Sequence, residues 1–272
     1  MNNRKAIKNK TALITGASSG IGAAFAEIAA EDCSTIVLAA RRQDHLQALK
    51  EDLETRFRTQ VIVLARDLAK TGAAEKIVQE LQGQGIVPDI VINNAGFGDM
   101  GPFAEADWPT QEAMIAVNIT TLTHLTRLVL PAMINQGSGA ILNVASTAAF
   151  QPGPFMSVYY ASKAYVLLFT EALAVELKGT GVTATVLCPG PTATAFGATA
   201  GMERTRLMRF SRLAAPRDVA RYGYEAMKKG RTVAIPGILN KLSAFSTRLG
   251  PRRFVVKIVE ALHKDVSVSK TS

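Results

Sequence analysis

The sequence predicts an α/β fold of one domain, in which a doubly wound parallel sheet of about seven strands carries helices on both faces. Short runs rich in β-branched and apolar residues alternate with helix-length segments along most of the chain. A glycine-rich turn stands between the first run and the first helical segment. Strand–helix alternation is typical of a parallel sheet, because each crossover connection packs a helix against it. Since such crossovers are right-handed, we expect the sheet to be doubly wound.

The periodicity of apolar residues places the elements in chain order. The predicted strands lie at residues 12–15, 35–39, 61–64, 90–92, 140–144, 183–187 and 232–235. The predicted helices lie at residues 21–31, 44–58, 73–82, 111–136, 157–178 and 216–229. They form a domain over residues 1–235, which includes a lid-like insertion near the strand ends at residues 191–215. Residues 236–272 form a basic, helical C-terminal extension.

The composition favours a protein with a large apolar core. Of the 272 residues, 48% are apolar, and no uninterrupted apolar run has the length of a membrane span. The glycine-rich turn follows the N-terminus too closely for a signal peptide. Cys33 and Cys188 lack metal-type spacing and lie beside predicted strands, so we expect buried thiols, no metal site and a cytoplasmic location. No nucleic-acid-binding module is recognisable.

The net charge of +9 is concentrated near the C-terminus, where residues 200–272 hold 16 Lys or Arg and 5 Asp or Glu. Such a stretch is either a solvated basic face or a contact for an acidic partner or an anionic membrane. Helical spacing also places apolar side chains on one face of this region. We expect them to pack on the body or on another subunit; a weak contact with a membrane surface or an acyl carrier is the alternative. They are Phe245, Leu249, Phe254, Val255, Ile258, Val259 and Leu262.

A turn suited to phosphate binding joins the first predicted strand to the first helix. Gly16 permits a tight turn, Gly20 permits close approach of a pyrophosphate, and Gly22 lets the helix pack on the sheet. The free N–H groups at the start of the helix then face the anion. A plain strand–helix turn is the alternative. The other predicted cofactor contacts in this turn are Ser18, Ser19 and Ile21.

Two arginines end the second predicted strand, at the distance from the glycines where a ribose-binding carboxylate is expected in proteins that use NAD. Arg41 and Arg42 can both bind phosphate oxygens through their guanidinium groups, which favours NADP(H). We expect Arg41 in particular to contact the 2′-phosphate. Asp44 could compete for the ribose, but we expect it to be the N-cap of the next helix.

Three polar side chains form a candidate centre for proton transfer. Tyr159 and Lys163 are one helical turn apart, so a neighbouring ammonium is expected to lower the pKa of the phenol toward the working range. Ser146 follows the fifth predicted strand, at the sheet edge where ligands bind, and its hydroxyl could donate to a carbonyl oxygen. Thr147 is the local alternative to Ser146, and its other role would be in a turn.

Further motifs lie at residues 93–96, at Asn118 and at residues 189–192, and they form one set with the glycine turn, Ser146 and residues 159–163. In chain order, the set resembles the short-chain dehydrogenase/reductase family over residues 11 to about 235, and more finely its hydroxysteroid, 3-oxoacyl and carbonyl reductases. The resemblance implies a Rossmann fold and a nicotinamide cofactor. The matching segments are residues 15–22, 93–96, Asn118, Ser146, residues 159–163 and residues 189–192.

The resemblance also implies catalytic roles. Tyr159 would be the general acid in reduction and the base in oxidation, and Ser146 would polarise the carbonyl. Lys163 would lower the pKa of Tyr159 and hold the nicotinamide ribose. Asn118 would hold a water that relays protons to Lys163, although its side chain could instead bond backbone groups. Tyr160 duplicates the tyrosine but lies off the Lys163 face of the helix, so we expect it to pack.

The remaining cofactor contacts are likewise implied by the resemblance. Asn93, Ala95 and Gly96 would form a close-approach turn against the adenosine. Asp67 would meet the adenine amino group, with Leu68 contributing its backbone. The nicotinamide would be held by Thr192 together with Pro189 and Gly190. For Asp67 and Thr192, a helix N-cap or turn role is the alternative.

These inferences combine into one predicted function. The chain is expected to be an NADPH-dependent oxidoreductase that reduces a carbonyl of a largely hydrophobic substrate or oxidises the alcohol. The pocket would be lined by residues 98–106, 148–158 and 191–215, which are rich in apolar side chains. A homo-oligomer, dimer or tetramer, is expected through the helices at 111–136 and 157–178. The alternative function is a non-catalytic NADP(H)-sensing protein.

Overall fold

A computed structural model describes residues 8–264 and contains one sheet of seven parallel strands in the order β3-β2-β1-β4-β5-β6-β7. The strands are β1 (Lys8–Thr15), β2 (Cys33–Ala40), β3 (Gln60–Ala65), β4 (Ile90–Asn93), β5 (Gly139–Val144), β6 (Val182–Leu187) and β7 (Val233–Ala234). The predicted α/β fold with a single parallel sheet is confirmed. The chain starts at the centre of the sheet, reaches one edge at β3 and returns to β4 on the other side of β1. The carboxyl ends of β1 and β4 are therefore the switch point at which such sheets bind ligands.

Helices cover both faces of this sheet. The long helices are α1 (Gly20–Ala30), α2 (Gln43–Arg56), α3 (Ala73–Gly83), α4 (Trp108–Ile115), α5 (Leu122–Asn135), α6 (Ser157–Glu176) and α9 (Pro216–Lys228). Two short helices, α7 (Phe196–Thr199) and α8 (Arg206–Phe210), lie in the predicted insertion, and α10 (Ile238–Ser246) and α11 (Arg252–His263) lie in the C-terminal extension. Residues 265–272 of that extension lie outside the described residues.

The strands are apolar on both faces because both faces are covered. Ile14 and Leu38 pack with Phe25 of α1 and Tyr224 of α9 in one cluster of the core. Their strand neighbours point the other way, as alternation along a strand requires. The second cluster, on the opposite face, includes Leu13, Val37, Ile77, Leu125, Val129 and Leu173. Cys33 and Cys188 are buried free thiols, as predicted.

The predicted helix at 111–136 is interrupted. A helical stretch runs over Trp108–Asn135, but its middle, Ala116–Thr121, has π-helical geometry between α4 and α5. By length and composition this stretch could cross a membrane, yet 44% of its most apolar window is buried inside the molecule. Met114 and Val129 are among the residues that it packs into the core. The stretch is therefore a helix that packs into the core beside the sheet, and its turn at Ala116–Thr121 is widened.

Candidate active site

The turn after β1 is folded tightly against the start of α1. Gly16 adopts a positive φ of 66°, and its N–H donates to the Ala39 carbonyl of β2 at 2.8 Å. A Cβ atom at Gly22 would collide with the carbonyl oxygen of Gly16, so glycine is required there by the turn itself. This reason differs from the predicted one, which was the packing of the helix on the sheet.

Asn94 fastens the turn after β4 to the turn after β1. Its Nδ2 donates to the carbonyl oxygens of Thr15 at 3.0 Å and Gly16 at 3.3 Å. Thr15 Oγ1 in turn accepts the N–H groups of Asn94 and Ala95, both at 3.1 Å. A Cβ at Gly16 would lie 2.8 Å from the Ala95 Cα, so the two turns touch through their backbones. Sequence reasoning missed Asn94, although its position after a central strand was a usable signal.

The side chain of Asn93 faces the core, which corrects its expected place beside the cofactor. Its Nδ2 donates to Asn143 Oδ1 of β5 at 2.8 Å and to Thr126 Oγ1 of α5 at 3.0 Å. Asn143 continues the chain to Thr170 of α6 at 2.9 Å. Successive residues of a strand point to opposite faces. Only the backbone of Asn93 therefore remains available to the turn.

Arg42 is the arginine that bonds to the glycine turn, and the expected contact of Arg41 with a 2′-phosphate stays a prediction. The guanidinium of Arg42 lies over the glycine turn and donates to Ser18 Oγ at 3.0 Å and Ser19 Oγ at 2.7 Å. Arg41 is exposed and has no hydrogen bond or ion pair to another residue of the range 8–264. We expected Asp44 to be the N-cap of α2. Arg42 holds that position instead, and Asp44 lies in the first turn of the helix. The cation beside the phosphate-binding turn is thus Arg42.

The predicted catalytic residues are brought together at the carboxyl edge of the sheet. Lys163 Nζ donates to the Val144 carbonyl at the end of β5 at 2.9 Å and lies 5.8 Å from the ring centre of Tyr159. A Cβ at Gly96 would lie 3.0 Å from Asn118 Oδ1 and 3.1 Å from Lys163 Nζ. A residue without a side chain is therefore needed where these two groups meet the turn after β4.

The amide of Asn118 is fully engaged with neighbouring groups. Its Nδ2 donates to the Phe97 carbonyl and to Ser162 Oγ, each at 3.0 Å, and its Oδ1 accepts the Phe97 N–H at 3.2 Å. The expected alternative, a side chain that bonds backbone, thus describes what the structure shows. Both Nδ2 protons are used, so a relay water could bond only to an oxygen of Asn118, and the relay stays a prediction.

Ser146, rather than Thr147, is the hydroxyl beside the phenol. Its Oγ accepts the Ala148 N–H at 3.1 Å and begins a 3₁₀ turn at Thr147–Phe150. The same hydroxyl lowers the pKa of the Tyr159 phenol, so it lies near that group. Thr147 contributes its N–H to the Pro189 carbonyl at 2.9 Å. The phenol, the hydroxyl and the ammonium accordingly share one location.

Other predicted cofactor residues have local partners. Asp67 Oδ1 accepts the Ala69 N–H at 3.1 Å, and Thr192 Oγ1 donates to the Gly190 carbonyl at 2.9 Å, which are the turn roles considered as alternatives. Leu68 is buried, and its carbonyl accepts Thr121 Oγ1 at 2.7 Å. Gly20 lies against Thr194, which places the loop after β6 next to the glycine turn.

Apolar side chains surround the phenol on the side away from Lys163. The Phe196 ring centre is 5.2 Å from that of Tyr159. A Cβ at Gly98 would lie 3.0 Å from both Met156 Cε and Phe196 Cζ. Tyr160 packs as expected, but it also reaches the C-terminal extension, where its hydroxyl is 2.9 Å from His263 Nε2. No sequence signal pointed to that contact.

The comparisons with known proteins agree with this geometry. A sequence model of the family described as short chain dehydrogenase matches residues 10–204. The chain belongs to that family. A short chain dehydrogenase of Pseudocercospora fijiensis is 36% identical over 198 residues, which are 71% of this chain and 62% of the relative's length. The ketoacyl reductase HetN of a Nostoc species is 34% identical over 232 residues, covering 84% of this chain and 79% of that protein.

Solved structures of the family superpose closely on this dehydrogenase. A short-chain dehydrogenase from Sphingobium yanoikuyae in complex with NADPH has a TM-score of 0.79 and 30% identity, covering 88% of this chain and 93% of that chain. A family member from Burkholderia phymatum in complex with NAD has a TM-score of 0.78 and 26% identity, covering 88% and 92%. The two neighbours share the fold but hold different nicotinamide cofactors.

Burial sets the protonation of both key groups of the dehydrogenase. Burial raises the pKa of Tyr159 to about 12, although the nearby Ser146 hydroxyl opposes this shift. Desolvation of the phenolate dominates in this structure, so the expected lowering of this pKa by Lys163 stays a prediction. Burial also lowers the pKa of Lys163 to about 8. Tyr159 is consequently a neutral phenol at physiological pH, which is the proton-donating form.

Replacement of the buried ammonium should stabilise the dehydrogenase. The pKa of Lys163 falls from its ordinary 10.5 to about 8 on folding. Lys163→Met should therefore raise the free energy of unfolding at pH 7 by about 2 kcal/mol, after the lost hydrogen bond to Val144 is deducted. Below pH 8 the folded and the unfolded protein both carry the Lys163 proton, so the full cost of burying the charge applies. Between about pH 8 and 10.5 the folded protein loses the proton first, so the gain should shrink as pH rises.

Urea unfolding of the two proteins at pH 7 and pH 10 measures this difference. Lys178→Met, at an exposed lysine just beyond α6, is the matched control and should change the unfolding free energy little at either pH. A Lys163→Met protein that is less stable than the parent at pH 7 would contradict the desolvation argument.

Proposed function

We propose that this chain reduces a carbonyl group of a largely hydrophobic substrate with NADPH, and that it also runs the reverse oxidation of the alcohol. The observation that carries the proposal is the buried phenol of Tyr159 beside the Ser146 hydroxyl, within a helical turn of Lys163 and next to the phosphate-binding turn. The cofactor supplies the hydride that the carbonyl carbon receives. The protein then has to position the substrate and deliver one proton to its oxygen.

The residues of the site are suited to these tasks. Tyr159 can give its proton to the substrate oxygen, because the alkoxide left by hydride addition is a much stronger base than a phenolate. Ser146 can hold the same oxygen and stabilise charge that develops on it. A placed acid of this kind contributes roughly 10²–10⁴-fold in rate. Lys163, with a pKa near 8, supplies positive charge beside the phenolate that remains.

The surroundings of the phenol favour an apolar substrate. Tyr159 belongs to a buried cluster with Met114, Met156 and Met202, and Phe97 and Phe196 pack against it. Pockets lined by such side chains, with a few convergent polar groups, bind ligands that are mostly apolar. Part of this lining comes from residues 191–215, which we propose as the substrate lid.

Removal of the phenol hydroxyl tests the proposal. Tyr159→Phe should lower kcat by at least about 10²-fold, while the dissociation constant of NADPH changes less than about threefold. Tyr165→Phe removes a hydroxyl from the same helix outside the cluster and should leave kcat within about twofold. NADPH absorbance with aldehydes, ketones and 3-oxoacyl thioesters measures turnover, and fluorescence titration measures binding. Near-full activity of Tyr159→Phe would refute the assignment, and NADPH binding without oxidation across the panel would favour the NADP(H)-sensing alternative.

The choice of NADPH rests on Arg42. Its guanidinium stands over the glycine turn, and no carboxylate follows β2 until Asp44, which is exposed in the first turn of α2. A guanidinium is suited to a 2′-phosphate and a carboxylate to free ribose hydroxyls.

Removal of the Arg42 charge should affect the KM for NADPH and the KM for NADH differently. Arg42→Ala should raise the KM for NADPH about 10- to 100-fold, the worth of a charge-assisted hydrogen bond, and change the KM for NADH little. Arg58→Ala, at an exposed arginine past the end of α2, removes the same charge and should alter neither constant by more than about twofold. Initial rates with both cofactors decide the matter; an equal rise for both would assign Arg42 to the turn instead.

We also propose a homo-oligomer, dimer or tetramer, in the cytoplasm. Leu168 and Val175 of α6 lie on one helical face and are 65% and 60% exposed. Large apolar side chains in such a row are typical of subunit interfaces. The buried free thiols support the reducing compartment.

A charge on this face should dissociate the oligomer. Leu168→Glu is expected to lower the mass measured by light scattering to that of the monomer at micromolar concentration, since a buried unpaired carboxylate is costly. Leu239→Glu makes the same change on α10, and the mass should stay that of the parent. If only the second variant dissociates, the interface lies on the C-terminal extension.

A further inference from the structure

Helix α10 exposes its large apolar residues, which is the reverse of the usual arrangement. Amphipathic helices normally turn their large apolar residues toward the core. Here the large apolar residues face outward, and the side that meets the body carries Asn240 and the buried Ala244. The outward residues Ile238, Leu239, Leu242 and Phe245 are between 58% and 81% exposed.

The exposed apolar surface continues along the chain into α11. Val255 and Val259 turn inward and are buried, so part of the predicted apolar face does pack on the body. Phe254 and Ile258 turn outward and are 60% and 46% exposed, and Leu249 is exposed in the turn between the helices. We call the exposed set the C-terminal apolar face: Ile238, Leu239, Leu242, Phe245, Leu249, Phe254 and Ile258.

Unpaired cations accompany this face. Residues 236–264 contain six Lys or Arg and a single acidic residue, Glu260. Lys264 forms an ion pair with Glu260 at 3.2 Å. Among residues 8–264, no carboxylate lies within ion-pair distance of the other five. These are Lys241, Arg248, Arg252, Arg253 and Lys257, and all of them are exposed.

We propose that the C-terminal apolar face docks onto an anionic phospholipid surface. Protruding apolar side chains with Lys and Arg around them are the arrangement by which helices lie in the membrane interface. The apolar side chains enter the acyl boundary while the cations meet lipid phosphates. A second copy of the chain would complement the apolar side chains but would bring the five cations near those of its partner. An acidic protein would satisfy the charges, but its acidic surface would not complement seven large apolar side chains that are 46% to 81% exposed. The lipid surface satisfies both features.

Sedimentation with vesicles tests this docking without any substrate, so its outcome does not depend on the proposed reductase activity. The full chain is mixed with vesicles of phosphatidylcholine, with or without about one quarter phosphatidylglycerol, at about 0.05 M and about 0.5 M NaCl. We expect the protein to sediment with the anionic vesicles at low salt. Binding to the zwitterionic vesicles, or at high salt, should be at least about tenfold weaker.

Variants separate the apolar and the charged contributions. Leu239→Ser with Phe245→Ser should weaken binding at least about tenfold, whereas Ile134→Ser, on the outside of α5, should not. Arg252→Gln with Arg253→Gln should weaken binding several-fold. Arg58→Gln with Arg231→Gln removes the same charge elsewhere and should leave binding unchanged. Circular dichroism and NADPH affinity show that each variant is folded.

Three results would overturn the proposal. The first is no binding to anionic vesicles at low salt. The second is binding that the Leu239→Ser, Phe245→Ser variant retains, which would mean adsorption by charge alone. The third is an oligomer or a complex with an acidic carrier protein that this variant abolishes, in the absence of vesicle binding. In that case the face belongs to a protein interface.

Discussion

The site depends on burying the ammonium of Lys163. Its Nζ has one protein partner among the described residues, the Val144 carbonyl at the end of β5, and burial lowers its pKa to about 8. A group that resists burial stays in place only when its surroundings are rigid. Here α6 presents the lysine, β5 receives it, and Gly96 leaves the space in which Asn118 and Lys163 approach the turn after β4. The rest of the fold holds these elements against a local penalty, and the catalytic geometry is the result.

The second constraint is the contact between the turns after β1 and β4. Thr15 and Asn94 join them through side-chain-to-backbone hydrogen bonds, and Gly16 lets the backbones touch. This contact lies where the strand order reverses, so the glycine turn from one half of the sheet meets the turn after β4 from the other half. Arg42 lies over the glycine turn and bonds to Ser18 and Ser19. The same contact therefore positions both the cofactor side and the reacting side.

The sequence was sufficient to predict the sheet and the grouping of Ser146, Tyr159 and Lys163. Strand–helix alternation and helical spacing are local properties that can be recognised in a sequence. It was insufficient where neighbours compete for one role. Only the structure shows that Asn93 points into the core and Asn94 to the glycine turn, and that Arg42 rather than Arg41 bonds to Ser18 and Ser19. The pKa of Tyr159 depends on burial, to which Phe196, distant in sequence, contributes. In α10, periodicity located an apolar face but could not tell on which side the body lies.

The C-terminal extension links the outer surface to the reacting centre. Val255, Val259 and His263 of α11 face the cluster that holds Tyr159, and His263 bonds both Tyr160 and the Pro154 carbonyl. Burial lowers the pKa of His263 below its ordinary value, so this bridge is neutral at physiological pH. One side of α11 thus packs on the apolar cluster around the phenol, while the other carries Phe254 and Ile258 outward. The apolar lining and the exposed apolar face are two consequences of placing the same helix between the active site and its surroundings.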